Sequence, residues 1–108
     1  MANIRAYVGL NYGSEEWPRH HATKVICNSL ANQNINACTI LPCFGLWQGE
    51  AENSLCVDLV NVNEAAASTA LQNIAHELAQ WEILYTVENR SETVHNDATA
   101  ERALLSQA

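Results

Sequence analysis

The aromatic side chains Trp17, Phe44 and Trp47 stand among polar neighbours and offer broad faces on which a planar ligand such as a nucleobase can stack. Core packing competes for the same residues. An aromatic near a helix start commonly anchors the fold, which favours packing for Trp17, whereas Gln48 and Glu50 beside Trp47 leave that residue evenly balanced. A little further on, Glu52-Asn53-Ser54 brings together a carboxylate, an amide and a hydroxyl, a set that reads a polar ligand edge or makes an ordinary turn. Asn11-Tyr12-Gly13 leads into a helix whose first turns carry Arg19, His20 and His21. An anion such as phosphate docked there would meet backbone N–H groups, a guanidinium and imidazoles, with Glu15 and Glu16 competing at the same end. Arg90, just past the last expected strand, is the other phosphate contact. The expected ligand-binding set is therefore Asn11, Tyr12, Trp17, Arg19, His20, Phe44, Trp47, Asn53 and Arg90.

Catalytic signatures are missing from this list. No nucleophile elbow, Gly-rich phosphate loop with Lys, or His-Glu-x-x-His is present, and the adjacent His76 and Glu77 point to different sides of a helix. The expectation is a binding protein that is not an enzyme and uses no cofactor. Cys27, Cys38, Cys43 and Cys56 show no Cys-x-x-Cys spacing and sit in apolar stretches, so they read as reduced, buried thiols with no metal site.

The elements that must position these residues follow from periodicity. Ile4, Ala6, Val8 and Leu10 alternate with Arg5, Tyr7 and Gly9, the pattern of a half-buried strand. Ser14 then caps a helix that runs to about Asn32, with Pro18 in its first turn and a buried stripe of Ala22, Val25, Ile26, Ser29, Leu30 and Gln33. Ala37 to Leu41 and Leu55 to Val62 read as an antiparallel pair of strands joined by a long functional loop from Pro42 to Ser54. Asn63 or Asn61 caps a second helix whose apolar set extends from Ala67 to Trp81, and Glu82 to Val87 forms the last strand. Residues 1–90 make one α+β domain; 91–108 are a polar tail, disordered or forming a short helix over Asp97 to Ser106.

Strand, helix, strand, strand, helix, strand with right-handed crossovers gives a ferredoxin-like βαββαβ fold, a four-stranded antiparallel sheet with both helices on one face. Its other face would be left exposed and partly apolar, which predicts a homo-oligomer. The 108 residues carry 12 acidic and 5 scattered basic side chains, a net charge of -7 that disfavours nucleic-acid binding. The longest apolar run is far short of the ~20 residues a bilayer requires and the N-terminus lacks a signal-peptide profile, so no membrane association and a cytoplasmic location are expected.

Short motifs add two resemblances. Gly9-Leu10-Asn11, Gly45-Leu46-Trp47 with Glu52-Asn53-Ser54, and Gln80-Trp81-Glu82-Ile83 make the chain similar to the Thoeris anti-defence sponge proteins of phages. That resemblance implies an oligomeric, non-enzymatic binder that sequesters a cyclic ADP-ribose-type nucleotide signal in the host cytoplasm. Phe44 or Trp47 would stack the base, Asn53 would read a polar edge, and Arg5, Arg19 or Arg90 would hold phosphate. Ala37-Cys38-Thr39-Ile40-Leu41-Pro42 with Trp47-Gln48-Gly49 resembles CutA-like and PII-like trimers instead. The alternative it implies is a sensory or structural trimer that binds a metal or metabolite through His20, His21 and an exposed cysteine.

Overall fold

The computed structural model describes residues 1–88 and 90–96. The strand β1, Ala2–Gly9, runs into a small hairpin of β2, Asn11–Tyr12, and β3, Glu15–Glu16. Helix α1 spans Arg19–Ala31, β4 Thr39–Trp47, β5 Glu50–Val62, α2 Glu64–Glu77, β6 Glu82–Val87 and β7 Arg90–His95. All neighbours in the main sheet are antiparallel and their order is β4-β5-β1-β6-β7. The four expected strands thus take the expected ferredoxin-like order, and a fifth extends the sheet beyond β6.

Alternation explains the core. Ile4, Ala6 and Val8 of β1, Leu55, Val57 and Leu59 of β5, and Ile83, Tyr85 and Val87 of β6 point one way. They meet the buried stripes of the two helices, including Val25 and Ile26 of α1 and Leu71 and Ile74 of α2. The opposite face of the same strands carries Arg5, Tyr7, Asp58, Val60 and Leu84, and no helix among the described residues lies over it.

Several boundaries differ from expectation for local reasons. Ser14 caps no helix: residues 11–16 pair as β2 and β3 through a turn at Gly13, φ 60°, and α1 begins at Arg19 after Pro18. The stretch from Pro42 to Ser54 is no loop. It completes two strands joined by Gln48 and Gly49, whose positive φ values of 50° and 81° suit a two-residue mirror-image turn. Pro42 is tolerated because β4 lies at the sheet edge. Helix α2 stops at Leu78, since Ala79 takes a φ of 51°, so Trp81 leaves the helix before β6. Past Glu88, Arg90–His95 pairs with β6 rather than opening a tail, and Val94 is its buried anchor. The expected helix over 97–106 lies outside the described residues, as does the side chain of Arg90. Of the cysteines only Cys56 is buried; Cys43 is half-buried, and Cys27 and Cys38 are exposed.

The cap of α2 is well made: Asn63 Oδ1 accepts from the Ala66 N–H at 2.9 Å, which satisfies a donor that the helix itself leaves unpaired. Asn63→Ala should lower the unfolding free energy by about 1 kcal/mol in urea titration, with an unchanged denaturant slope. Asn61→Ala, which removes the other candidate cap, should leave the helix cap intact.

Candidate functional site

A cavity of about 470 Å³ opens at one end of the uncovered sheet face, a size in the range of small-molecule sites. Tyr7 and Gly9 of β1, Cys43 to Trp47 of β4, Glu50, Glu52 and Ser54 of β5, and Glu82 and Leu84 of β6 form its walls. Asn11 to Gly13 of the small hairpin and Ala79 to Trp81 of the α2–β6 connection close its rim. Gln80, itself buried, ties these two rims together by donating from Nε2 to the carbonyls of Asn11 at 2.8 Å and Leu78 at 3.1 Å.

Glu52 is the most constrained charged group in the cavity. Its Oε2 accepts from the Asn11 N–H at 3.1 Å, and its carboxylate lies directly over Gly9. A Cβ at position 9 would stand 2.5 to 2.6 Å from the Glu52 carboxylate atoms, so only glycine leaves this space open. Burial raises the Glu52 pKa above the ordinary glutamate value, against the lowering effect of the Asn11 N–H.

The structure brings together four of the expected ligand residues, Asn11, Tyr12, Phe44 and Trp47, and separates the rest. Trp17 is a packing residue. Its indole stacks with Tyr12, centroids 4.0 Å apart, and with His21, 4.8 Å apart, and its Nε1 donates to the Leu78 carbonyl at 2.7 Å. Arg19 and His20 are exposed on α1 outside the cavity. Asn53 faces away from it, because strand alternation turns Glu52 in; its Nδ2 instead donates to Glu16 Oε1 at 2.9 Å and pins the small hairpin. Among the described residues, no three His, Cys, Asp or Glu side chains come together as a metal site.

Among the described residues, the lining carries three carboxylates, Glu50, Glu52 and Glu82, and no Lys, Arg or His. The nearest arginine along β1, Arg5, is held in a two-pronged contact with Asp58, Nε to Oδ1 at 2.6 Å and Nη2 to Oδ2 at 3.2 Å. Burial also raises the pKa of the Cys43 thiol, which keeps it protonated and unsuited to nucleophilic attack at neutral pH. With the aromatic walls of Tyr7, Tyr12, Trp47 and Trp81, this is a cavity for a cation attached to an apolar or aromatic body.

No protein-family model and no curated protein matches the chain. Solved structures do. A phage SAM lyase in its apo state matches with a TM-score of 0.68 at 17% identity, over 87% of this chain and 88% of that one. A phage SAM lyase in complex with S-methyl-5'-thioadenosine matches with a TM-score of 0.72 at 14% identity and the same coverage. This chain has the SAM lyase fold. The finding overturns the Thoeris-sponge and CutA/PII resemblances and the expectation of a non-enzymatic binder, since the matched structures are enzymes. The charge of the cavity points the same way: a cyclic ADP-ribose-type ligand carries phosphates, and nothing in the lining would offset them.

Sequence reasoning offered Glu52 only within the Glu52-Asn53-Ser54 set and chose Asn53 from it, and it left out Tyr7, Gly9, Glu50, Gln80, Trp81 and Glu82 of the cavity lining. A usable signal existed for Glu52, which sits one step from Asn53 and, by alternation with Leu55 and Val57, has the parity of the open face.

Gly9→Ala should expel the Glu52 side chain from its seat. A carboxyl-carbon NMR titration should then show the Glu52 pKa returning toward the ordinary glutamate value. Adding Glu52→Asp, one methylene shorter, should recover room for the new methyl, and the double-mutant cycle should show a coupling of about 1 kcal/mol. Additive effects would mean that the two positions do not compete for space.

Proposed function

We propose that this protein binds S-adenosylmethionine and cleaves it to S-methyl-5'-thioadenosine. The observation that carries the reading is the acidic, aromatic cavity, with no lysine or arginine among its described lining residues, on the fold of phage SAM lyases. S-adenosylmethionine is an adenine nucleoside with a sulfonium cation, so both halves of the cavity have something to bind. Trp47, which shares the face of Glu50 and Glu52, stacks the adenine, and Asn11 and Tyr12 border it from the small hairpin; Phe44, opposite Asn53, has the other parity. Glu52, with Glu50 and Glu82, attracts the sulfonium, and the aromatic walls add cation–π contact.

The chemistry follows from the product. S-methyl-5'-thioadenosine keeps the methyl and adenosyl carbons on sulfur, so the broken bond joins sulfur to Cγ of the amino-acid arm. Its electron pair goes to sulfur, which becomes a neutral thioether. A lyase adds no water, so Cγ is captured by the substrate's own carboxylate and closes a five-membered lactone. A carboxylate and a sulfonium cancel each other's charge in this step, and a transition state less charged than its reactants is favoured in a cavity of low polarity. The protein's contribution is to bind the sulfonium, fold the arm and exclude bulk water. No group in the cavity needs to act as a nucleophile.

The uncovered sheet face supports a second part of the proposal, that the protein is a homo-oligomer. Tyr7, Leu41 and Leu84 lie on that face 39%, 51% and 48% exposed, a patch costly to leave in water. The cytoplasm is the compartment this reading requires, because S-adenosylmethionine is made and used there.

Incubation with S-adenosylmethionine followed by mass spectrometry should yield S-methyl-5'-thioadenosine and the amino-acid lactone in equal amounts. Absence of both binding and product would sink the reading; free homoserine formed at the initial rate would replace the lyase with a hydrolase. Glu52→Gln should lower substrate affinity about tenfold or more, the size expected when a charge-assisted contact is removed.

The pH dependence has a definite sign. Affinity should fall as pH drops through the raised Glu52 pKa, at higher pH than an ordinary glutamate would give, and Glu52→Gln should flatten that limb. Stability behaves oppositely: the folded state holds the Glu52 proton more tightly than the unfolded chain does, so this contribution is lost as pH rises through the folded pKa. The variant should therefore melt no lower than the parent at neutral pH, which separates lost binding from unfolding. For the oligomer, light scattering after size exclusion should give a mass above the 11.9 kDa of one chain, and Leu41→Glu should return it to that value.

A further inference from the structure

A zwitterionic amino-acid arm normally demands two partners, an acceptor for its ammonium and a donor for its carboxylate. The cavity supplies acceptors in Glu50, Glu52 and Glu82, and the carbonyl of Asn11 is already taken by Gln80. For the substrate carboxylate the described residues that line it include no Lys, Arg or His. The Arg5 guanidinium is engaged with both carboxylate oxygens of Asp58, and this contact raises its pKa further above its ordinary value. The main-chain N–H of Asn11 is likewise committed to Glu52. His95, whose Nδ1 lies 3.4 Å from Glu82 Oε2, stands behind that carboxylate and not in the lining. Among the described lining residues a ligand carboxylate therefore gains no charged partner and faces like charge from the walls.

Resting on the reading above, we infer that the site selects sulfonium nucleosides by their cationic character alone and is repelled by the carboxylate of its own substrate. The decarboxylated sulfonium nucleoside, S-adenosyl-3-methylthiopropylamine, keeps the adenosine, the sulfonium and the ammonium and lacks only that carboxylate. It binds more tightly than S-adenosylmethionine. It also lacks the internal nucleophile, so it stays whole and acts as a competitive inhibitor. The same charge logic puts the neutral thioether S-adenosylhomocysteine, which retains the carboxylate and has lost the sulfonium, below both. An unanchored carboxylate has a use in turnover, because an arm tied down by an arginine would have to break that contact before reaching Cγ.

Calorimetric titration of the purified protein tests this with four probes: S-adenosylmethionine, the decarboxylated nucleoside, S-adenosylhomocysteine and ADP. The decarboxylated nucleoside should bind about 3- to 10-fold tighter than S-adenosylmethionine at low salt, an advantage that narrows at high salt as screening sets in. S-adenosylhomocysteine should bind more weakly than S-adenosylmethionine, and ADP should show no heat. Glu50→Gln should shrink the ratio between the first two ligands. If the decarboxylated nucleoside binds equally or more weakly while S-adenosylmethionine is bound and cleaved, the inference is overturned, a cation outside the described lining holds the carboxylate, and the lyase reading stands. If no sulfonium nucleoside binds, the lyase reading itself has failed.

Discussion

Every strand has two faces, and here the helices cover one of them, so each of β1, β5 and β6 serves the core and the cavity with alternate residues. Val8 is fully buried against the helices while Gly9, next to it, floors the cavity. Leu55 belongs to the core, and Ser54 and Glu52 belong to the cavity. Ile83 is buried, and Glu82 and Leu84 line the opening on either side of it. The core therefore fixes the site geometrically: a slip of one residue in any of these strands would exchange the two sets. Precision at Glu52 follows from packing on the far side of the sheet, and no separate scaffold is needed.

That dependence also decides what could be read from the sequence. The strand-helix order, the inward faces of β1, β5 and β6, and the stripes of α1 and α2 were legible, because burial writes a clear period of two or 3.6. The antiparallel pairing of β4 with β5 was legible over Thr39–Leu41, but the extension of that hairpin through residues 42–54 was not. Its outer part projects beyond the helices, so Phe44 and Leu46 remain exposed and no hydrophobic alternation marks the strand. Strand β7 escaped for the same reason, with Val94 as its one clearly buried apolar side chain. Reading residues 42–54 as a loop removed their parity, and with parity gone Asn53 and Glu52 could not be told apart as inward or outward. Gly9 carried no sequence signal as a contact, because the reason it is glycine lies across the sheet in Glu52.

The misreading of the ligand has an electrostatic cause. Charge composition alone does not say which arginine is free to meet a phosphate in a chain of net charge -7. Arg5 shows this, since its cross-strand partner on β5 is Asp58 and the pair is closed on the open face. Aromatic walls suit an adenine in a nucleotide and in a sulfonium nucleoside equally well. What separates those ligands is the sign of the charge beside the base, and the charged side chains among the described lining residues are all acidic.

Glu52 illustrates a balance that an acidic site must strike. A fully solvated carboxylate would bind the sulfonium weakly, while one buried without a donor would take up a proton and lose its charge. Its seat over Gly9 removes part of its water, which strengthens its attraction for a cation, and the Asn11 N–H offsets part of the cost of ionisation. Stabilising the sulfonium too well would in turn deepen the ground state, because that charge disappears as the carbon–sulfur bond breaks. In the reaction proposed above, a half-buried carboxylate with a raised pKa would hold the cation firmly enough to orient the arm and give it up as the thioether forms. The same contacts that gather a charged substrate would then release a neutral product.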